Sequence, residues 1–250
     1  MKALLLAAGK GTRLLPYTAN TPKPLLPLHG KPILDYIIDG LISAGADEFY
    51  VVVGYLREQM EEFLADQDRA KGYPFHAILQ ADVNGTGGAV LLARDIMYKP
   101  FLMTYGDVLI SYAAYARLVN IAQATPDATH SLLTNPVGDP SQGAAVYYGG
   151  DGVTVEKIIE KPPQGTSTTN WNNAGCYVFA PAIFPDIEQT PLSPRGEIEI
   201  TASLQKVLDR GEKIAGCCLE PGEFWCDVGY PNIYEQLNAS HNWLKSLQNW

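Results

Sequence analysis

The chain has 250 residues, of which 46% are hydrophobic and 18% charged, and its formal net charge is −9. This composition predicts a soluble globular protein with a sizeable core, and its acidity argues against nucleic acid or an anionic membrane as a partner. No stretch is long enough to span a membrane, no signal-peptide pattern is present, and the cysteines lack C-x-x-C spacing, so we expect free thiols and a cytoplasmic location.

Strand-like and helix-like patterns alternate through the first hundred residues. The predicted strands cover residues 2–8, 48–54, 74–80 and 101–104, and the predicted helices cover residues 33–44, 57–65 and 86–97. Strands that alternate with helices in this way predict right-handed βαβ units and a mostly parallel sheet.

The second half of the chain is richer in strands. Strands are predicted at residues 129–134, 144–148, 153–160, 174–179 and 214–219, with a hairpin turn at 147–152 and helices at 199–208 and 230–247. The expected fold is therefore α/β, a Rossmann-like three-layer sandwich with a mostly parallel, mixed sheet and a small lid-like β region. We expect a single domain over residues 1–250.

The loop after the first strand has the composition of a phosphate-binding segment. Gly9 and Gly11 follow a buried apolar run, and such turns leave backbone N–H groups free to face an anion. Arg13 and Lys23 add positive charge, and the prolines on either side of Lys23 stiffen its backbone. Leu14 rules out G-x-G-x-x-G, and the Walker spacing is absent. A tight strand-to-helix turn would explain the two glycines alone.

Two further segments carry groups suited to a nucleotide and a metal. Gln80 ends a predicted strand and precedes Gly85-Thr86, where an amide could bind a base edge, although Thr86 could instead cap its helix. Asp107 and Asp227 each lie at a strand end, and together they could bind Mg²⁺, which commonly takes one or two carboxylates. Each aspartate alone could be a turn residue.

These motifs resemble the signatures of the sugar-1-phosphate nucleotidylyltransferases. The first loop matches G-x-G-T-R-L-x-P-x-T-x-x-x-P-K-P, and the later segments are similar to Q-x-x-x-x-G-T-x-x-A, G-D, E-K-P, N-A-G, R-G-E-x-E-I-T and W-x-D-V-G. The E-K-P segment by itself could also be a cross-strand ion pair. Rival interpretations are a related enzyme that transfers CMP to a non-sugar phosphate, and a non-catalytic nucleotide-sugar sensor.

The resemblance implies a role for each matching residue. The catalytic residues would be Arg13, Lys23 and Lys161, and the Mg²⁺ ligands would be Asp107 and Asp227. The nucleotide-binding residues would be Leu6, Ala8, Gly9, Gly11, Thr12, Gln80, Gly85 and Thr86. The sugar-binding residues would be Gly143, Glu160, Asn173 and Glu197. Val108 stands where the family often has Asn after the first aspartate.

The resemblance also implies a reaction. A nucleoside triphosphate and a sugar 1-phosphate would give a nucleotide sugar and pyrophosphate, with Mg²⁺ as cofactor. UTP with glucose 1-phosphate is the first choice, followed by dTTP with glucose 1-phosphate, or a mannose or N-acetylhexosamine 1-phosphate. Residues 1–110 would form the nucleotide-binding half, 111–229 the sugar-phosphate half and 230–250 a C-terminal helix. The apolar face of that helix would pack on its own domain or form a homo-oligomer contact.

Overall fold

The structure is a computed structural model that describes residues 1–248. Its backbone contacts divide the chain into two compact units. The first unit comprises residues 1–83, 103–116 and the described residues from 222 onward, and the second comprises residues 84–102 and 117–221. The single-domain organisation expected from the sequence stays a prediction.

Strands and helices alternate in the first half, as predicted. The strands are β1 (Lys2–Leu6), β2 (Pro27–Leu28), β3 (Lys31–Pro32), β4 (Glu48–Val53), β5 (Phe75–Leu79), β6 (Phe101–Tyr105), β7 (Val108–Ile110), β8 (Ala128–Pro136), β9 (Ala144–Tyr148), β10 (Thr154–Glu160), β11 (Trp171–Phe179), β12 (Lys213–Cys218) and β13 (Trp225–Asp227). The helices are α1 (Ile33–Ser43), α2 (Arg57–Lys71), α3 (Thr86–Leu91), α4 (Tyr112–Ala124), α5 (Ile183–Glu188), α6 (Ile200–Asp209), α7 (Pro231–Ala239) and α8 (Asn242–Gln248).

The first unit is built on strands in the order β5-β4-β1-β6, of which β6 contributes residues 103–105. Strand β4 pairs in parallel with both β1 and β5. Leu4 and Leu5 of β1 point to opposite faces of the sheet, and both are fully buried, which explains the unbroken apolar run at the start of the sequence. A separate antiparallel pair joins β7 to β13 and sets Asp227 opposite Val108.

The second unit contains the strands β11-β8-β12-β10-β9 in that order. Most of these pairs are antiparallel, whereas β12 runs parallel to β8. The predicted hairpin turn between β9 and β10 is confirmed, because the Gly149 N–H donates to the Thr154 carbonyl at 2.8 Å. The predicted α/β class with a mixed sheet is therefore confirmed, and the lid-like role of the later strands stays a prediction.

Several helical segments differ from the sequence prediction: α5 was not predicted, and α2 extends to Lys71, beyond its predicted end at residue 65. Helix α4 was not predicted, although Tyr112, Tyr115 and Leu118 recur at helical spacing and are buried. The helix predicted at 86–97 is shorter, because the regular helix α3 ends at Leu91. The helix predicted at 230–247 is two helices, because Ser240 is extended and its Oγ accepts the Asn242 N–H at 3.2 Å.

The apolar face of the C-terminal segment packs partly within its own unit. Leu237 and Leu247 are 7% and 1% exposed, whereas Ile233 and Leu244 keep more exposed surface. Residues 249–250, the end of the predicted C-terminal segment, lie outside the described part of the chain. The homo-oligomer contact stays a prediction. Within residues 1–248, none of the helices is long and apolar enough to cross a membrane.

A buried histidine makes the second unit sensitive to acid. His130 of β8 lies edge-on to Phe179, with the ring centroids 5.6 Å apart, and its Nδ1 accepts the Ala180 N–H at 3.2 Å. Burial lowers the pKa of His130 to about 4. The unfolded chain, with an ordinary histidine pKa near 6.5, therefore binds a proton that the folded chain excludes, so stability falls as the pH drops between these values.

We predict that His130→Asn, which keeps an acceptor for the Ala180 N–H, flattens this pH dependence. Between pH 7 and pH 5 the wild-type chain should lose about 2 kcal/mol more unfolding free energy than the variant. Urea unfolding at both pH values measures the difference. Equal losses in the two proteins would show that His130 is not the group responsible.

Candidate functional site

The glycine loop after β1 has one glycine that the fold requires and one that it does not. Gly11 has a left-handed backbone with φ of 61°, and an added Cβ would lie 3.0 Å from Lys23 Cβ and 3.1 Å from Thr18 Cγ2. The Thr18 hydroxyl donates to the Gly11 carbonyl at 2.9 Å and fixes this turn. At Gly9 an added Cβ would point into open space. Packing therefore explains Gly11, and an approaching ligand remains as a reason for Gly9.

The other predicted nucleotide-binding residues of the first unit lie around this loop and at the end of β5. Leu6 is partly exposed at the end of β1, Ala8 is buried, and Thr12 and Arg13 are exposed on the loop. Gln80 is buried directly after β5, where its N–H donates to the Val53 carbonyl at 2.8 Å.

Lys23 lies between the two predicted metal ligands. We call Lys23, Asp107 and Asp227 the carboxylate–lysine cluster. The Lys23 Nζ is 2.6 Å from Asp107 Oδ2 and 3.4 Å from Asp227 Oδ1, and the lysine is only 7% exposed. Three segments that are far apart in sequence thus converge on one positive charge.

The backbone fixes both aspartates of this cluster. Asp107 follows β6, and the residue before it, Gly106, donates its N–H to the Leu6 carbonyl. An added Cβ at Gly106 would lie 3.1 Å from that same oxygen, so a glycine allows this close approach. Asp227 ends β13, and the next N–H, that of Val228, donates to the Asp107 carbonyl at 3.0 Å. The pairing of β7 with β13 therefore brings the two carboxylates together.

Burial and the neighbouring charges shift the pKa values of Lys23 and Asp227. Burial disfavours the Lys23 ammonium, but the two carboxylates outweigh it, and the pKa of Lys23 is raised. Burial and then the Asp107 charge raise the pKa of Asp227 above that of an ordinary aspartate. A carboxylate such as Asp227, whose charge is disfavoured by burial and by a neighbouring carboxylate, is stabilised by a nearby cation.

Cys226, next to Asp227, is not activated as a nucleophile. Burial and then the Asp227 charge raise the pKa of its thiol to about 12, so it stays protonated at neutral pH. Across residues 1–248, no three His, Cys, Asp or Glu side chains form a group that could hold a metal by themselves.

In the second unit, the predicted base-binding loop is joined to the segment before α6. The Gly87 N–H donates to the Ile198 carbonyl and the Ile198 N–H to the Asn84 carbonyl, both at 2.8 Å. Gly85 has a φ of 96°, and an added Cβ would lie 2.7 Å from the Ile198 carbonyl oxygen. Thr86 Oγ1 accepts the Ile200 N–H at 3.1 Å, so it caps α6, not its own helix.

Four charged residues of the second unit form an arginine–carboxylate cluster. The Arg195 guanidinium is 3.6 Å from Glu160 and 3.5 Å from Glu197, and it forms an ion pair with the buried Glu199. Thr201 donates to Glu160 Oε2 at 2.8 Å. Burial raises the pKa of Glu160 despite this hydrogen bond. Arg195 and Glu199 were missed as a pair in the sequence, because they lie before α6, where a spacing of four residues does not by itself predict a contact.

Lys161 has a strained backbone. It has a φ of 43°, in the region that favours glycine, and its N–H donates to the Gly143 carbonyl at 2.8 Å. An added Cβ at Gly143 would lie 2.1 Å from Asn172 Oδ1, so packing alone requires that glycine. A left-handed backbone at a residue other than glycine is an outlier that can accompany function, and His29 and Leu56 have it as well.

The side chain of Asn173 already has partners in its own unit. Its Nδ2 donates to the Tyr177 hydroxyl at 2.5 Å, and its Oδ1 accepts the Gly175 N–H at 3.3 Å. The neighbouring Asn172 was missed in the sequence. It accepts the Ala144 N–H and donates to Asn135 Oδ1 at 3.0 Å, which ties three strands together.

Comparison with known proteins agrees with this fold and these motifs. Residues 2–242 match the family of nucleotidyl transferases, and the chain belongs to that family. The resemblance to the sugar-1-phosphate nucleotidylyltransferases is confirmed at this level.

Two relatives with different names illustrate the similarity. A bifunctional protein GlmU from Methanococcus maripaludis is 33% identical over 99% of this chain and 55% of its own length. A mannose-1-phosphate guanylyltransferase catalytic subunit beta from Danio rerio is 32% identical over 99% of this chain and 66% of its own length. This chain thus spans about half the length of the first relative.

A solved structure of a UDP-glucose pyrophosphorylase complexed with UDP-glucose has the same fold. It superposes with a TM-score of 0.85, covers 95% of this chain and 97% of its own, and is 24% identical. This likeness supports the α/β architecture of the chain.

We predict that Lys161→Gly is more stable than Lys161→Ala by about 1 kcal/mol, because only glycine adopts the left-handed backbone without cost. Both variants lose the same side-chain charge, so their difference isolates the backbone. Urea unfolding measures it. An alanine variant as stable as the glycine variant would mean that the backbone at this position is not strained.

Proposed function

We propose that this chain condenses a nucleoside triphosphate with a sugar 1-phosphate to give a nucleotide sugar and pyrophosphate. The observation that carries the proposal is the carboxylate–lysine cluster at the end of the glycine loop. A loop suited to a triphosphate, a buried lysine and two convergent carboxylates together favour chemistry on a phosphate chain.

The cluster fits a divalent cation such as Mg²⁺. Asp107 and Asp227 already direct oxygens at one cation, the Lys23 ammonium, and two carboxylates are what Mg²⁺ usually takes from a protein, with water and substrate phosphates completing its shell. When bound, the ion would neutralise charge on the triphosphate. Lys23 would then be free to turn towards the phosphate oxygens of the leaving pyrophosphate.

The reaction needs no general base from the protein. An oxygen of the sugar phosphate is already an anion at neutral pH, and it forms the new bond to the α-phosphorus of the triphosphate. The bond from that phosphorus to the bridging oxygen breaks, and pyrophosphate leaves with the electron pair. The barrier is the approach of two anions, so Arg13, Lys23 and Lys161 contribute by charge and by holding the reactants in line, which can supply up to about 7–11 kcal/mol.

The second unit would bind the sugar phosphate. Lys161 is proposed for the phosphate, and Glu160 and Glu197 for the hydroxyl groups. In the structure both carboxylates contact Arg195, so sugar hydroxyls would share these carboxylates with the Arg195 guanidinium. Asn173 and the Gly143 backbone are proposed as further contacts to the sugar.

Our first choice of substrates is UTP, or dTTP, with glucose 1-phosphate. The motif around Gln80, Gly85 and Thr86 favours a pyrimidine. GTP with mannose 1-phosphate is a second candidate, favoured by the 32% identity to a mannose-1-phosphate guanylyltransferase subunit. A cytoplasmic location remains part of this proposal.

The proposed function is tested with a matrix of nucleoside triphosphates against sugar 1-phosphates. Pyrophosphate release is measured with UTP, dTTP, GTP, CTP and ATP, each with glucose, mannose or N-acetylglucosamine 1-phosphate and Mg²⁺. We expect release with UTP or dTTP and glucose 1-phosphate. Release with GTP and mannose 1-phosphate would select the second candidate, and release in none of the pairs would favour a non-catalytic sensor.

We predict that Lys161→Ala weakens glucose 1-phosphate binding at least about tenfold and leaves nucleotide affinity near wild type, because one charge–phosphate contact is lost. Calorimetric titration with each substrate measures both. Lys157→Ala, at an exposed position of the preceding strand β10, is the matched control and should bind like wild type. Unchanged sugar-phosphate affinity in Lys161→Ala would remove this lysine from the site.

A further inference from the structure

We propose that Tyr230 is a positioning residue for Arg13, and that Tyr230 and α7 hold the glycine loop after β1 in its conformation. We call this set of contacts, made by Arg13, Tyr17, Tyr230, Tyr234 and Glu235, the loop latch. The proposal rests on the proposed function and deepens it, since it concerns Arg13, which is one of the three cations that hold the reactants in line there.

Two contacts fix the Arg13 guanidinium on Tyr230. The Nη1 of Arg13 donates to the Tyr230 hydroxyl at 3.1 Å, and the guanidinium carbon lies 5.0 Å from the centre of the same ring. The first contact defines a direction, and the second keeps the planar group over the aromatic face. Together they restrict both the position and the tilt of the guanidinium.

A second pair of contacts ties the same loop to the same helix. The Tyr17 hydroxyl donates to Glu235 at 2.8 Å, and its ring lies 4.9 Å from that of Tyr234. Tyr234 is itself anchored, because its hydroxyl donates to the Pro27 carbonyl at 2.9 Å. The loop is therefore held at two residues, Arg13 and Tyr17. Helix α7 is itself fixed by the hydrogen bond from Tyr234 to Pro27.

The exposure of these residues indicates that the loop latch orders the glycine loop and adds little to the hydrophobic core. Tyr230 is 46% exposed and Tyr17 38% exposed, and Arg13 lies on the surface. Large aromatic side chains at the surface add little core burial. An arginine that is already ordered loses less side-chain freedom when it binds a phosphate, which favours binding.

The order of Arg13 is tested without any substrate. In ¹⁵N NMR relaxation measurements on the arginine Nε–H groups, Arg13 should be ordered in the wild-type chain and mobile in Tyr230→Ala. Tyr230→Phe, which keeps the ring and loses the hydroxyl, should lie between them. Equal mobility of Arg13 in all three proteins would overturn the proposal.

The effect on binding is tested with Mg–UTP titrations in a double-mutant cycle. Tyr230→Ala should weaken binding about fivefold in the wild-type background and less than about 1.5-fold in Arg13→Ala, because Tyr230 acts through that arginine. Tyr230→Phe should recover part of the loss. Tyr98→Ala, an exposed tyrosine of the second unit, is the control and should bind like wild type.

The outcomes separate the latch from the proposed function. The same loss of affinity in both Arg13 backgrounds would mean that Tyr230 contributes only general stability, and would overturn the proposal. If the wild-type chain binds none of the five triphosphates, the proposed function fails, while the NMR comparison still decides whether Tyr230 orders Arg13.

Discussion

One buried positive charge organises the first unit. The Lys23 ammonium lies against Asp107 and Asp227, so the loop after β1, the end of β6 and the end of β13 must all be in place for it to be stable. A partly buried carboxylate without a partner is costly, and two close carboxylates without one cost more. The cluster thus links the folding of this unit to the arrangement that the proposed chemistry requires.

The second unit shows how much of a candidate site is occupied by the chain itself. Arg195 contacts the carboxylates proposed for sugar hydroxyls, and Thr86, proposed for a base, caps α6. Packing explains Gly85 and Gly143 without any ligand. Lys161 is different, because its left-handed backbone costs stability, and the hydrogen bond from its N–H to the Gly143 carbonyl holds it in that conformation.

The sequence predicted the features that depend on local pattern. Buried runs such as β1 and the hairpin after Tyr147 were visible, because each is determined by a few adjacent residues. Helix α4 was visible in its spacing and was overlooked. The Arg13–Tyr230 contact joins residues more than two hundred positions apart, so a single sequence gave no signal for it. The break at Ser240 depends on one side-chain hydrogen bond and was equally hidden.

The central claim is that Asp107 and Asp227 form a divalent-cation site which Lys23 fills in the absence of the ion. Mn²⁺ binding to the nucleotide-free protein, followed by electron paramagnetic resonance, tests it most directly. Lys23→Met should bind Mn²⁺ about tenfold more tightly than wild type, because the ammonium no longer competes, and adding Asp107→Asn should abolish the gain. Lys10→Met, on the same loop, should leave the Mn²⁺ affinity unchanged. Equal Mn²⁺ affinity in wild type and Lys23→Met would contradict the account.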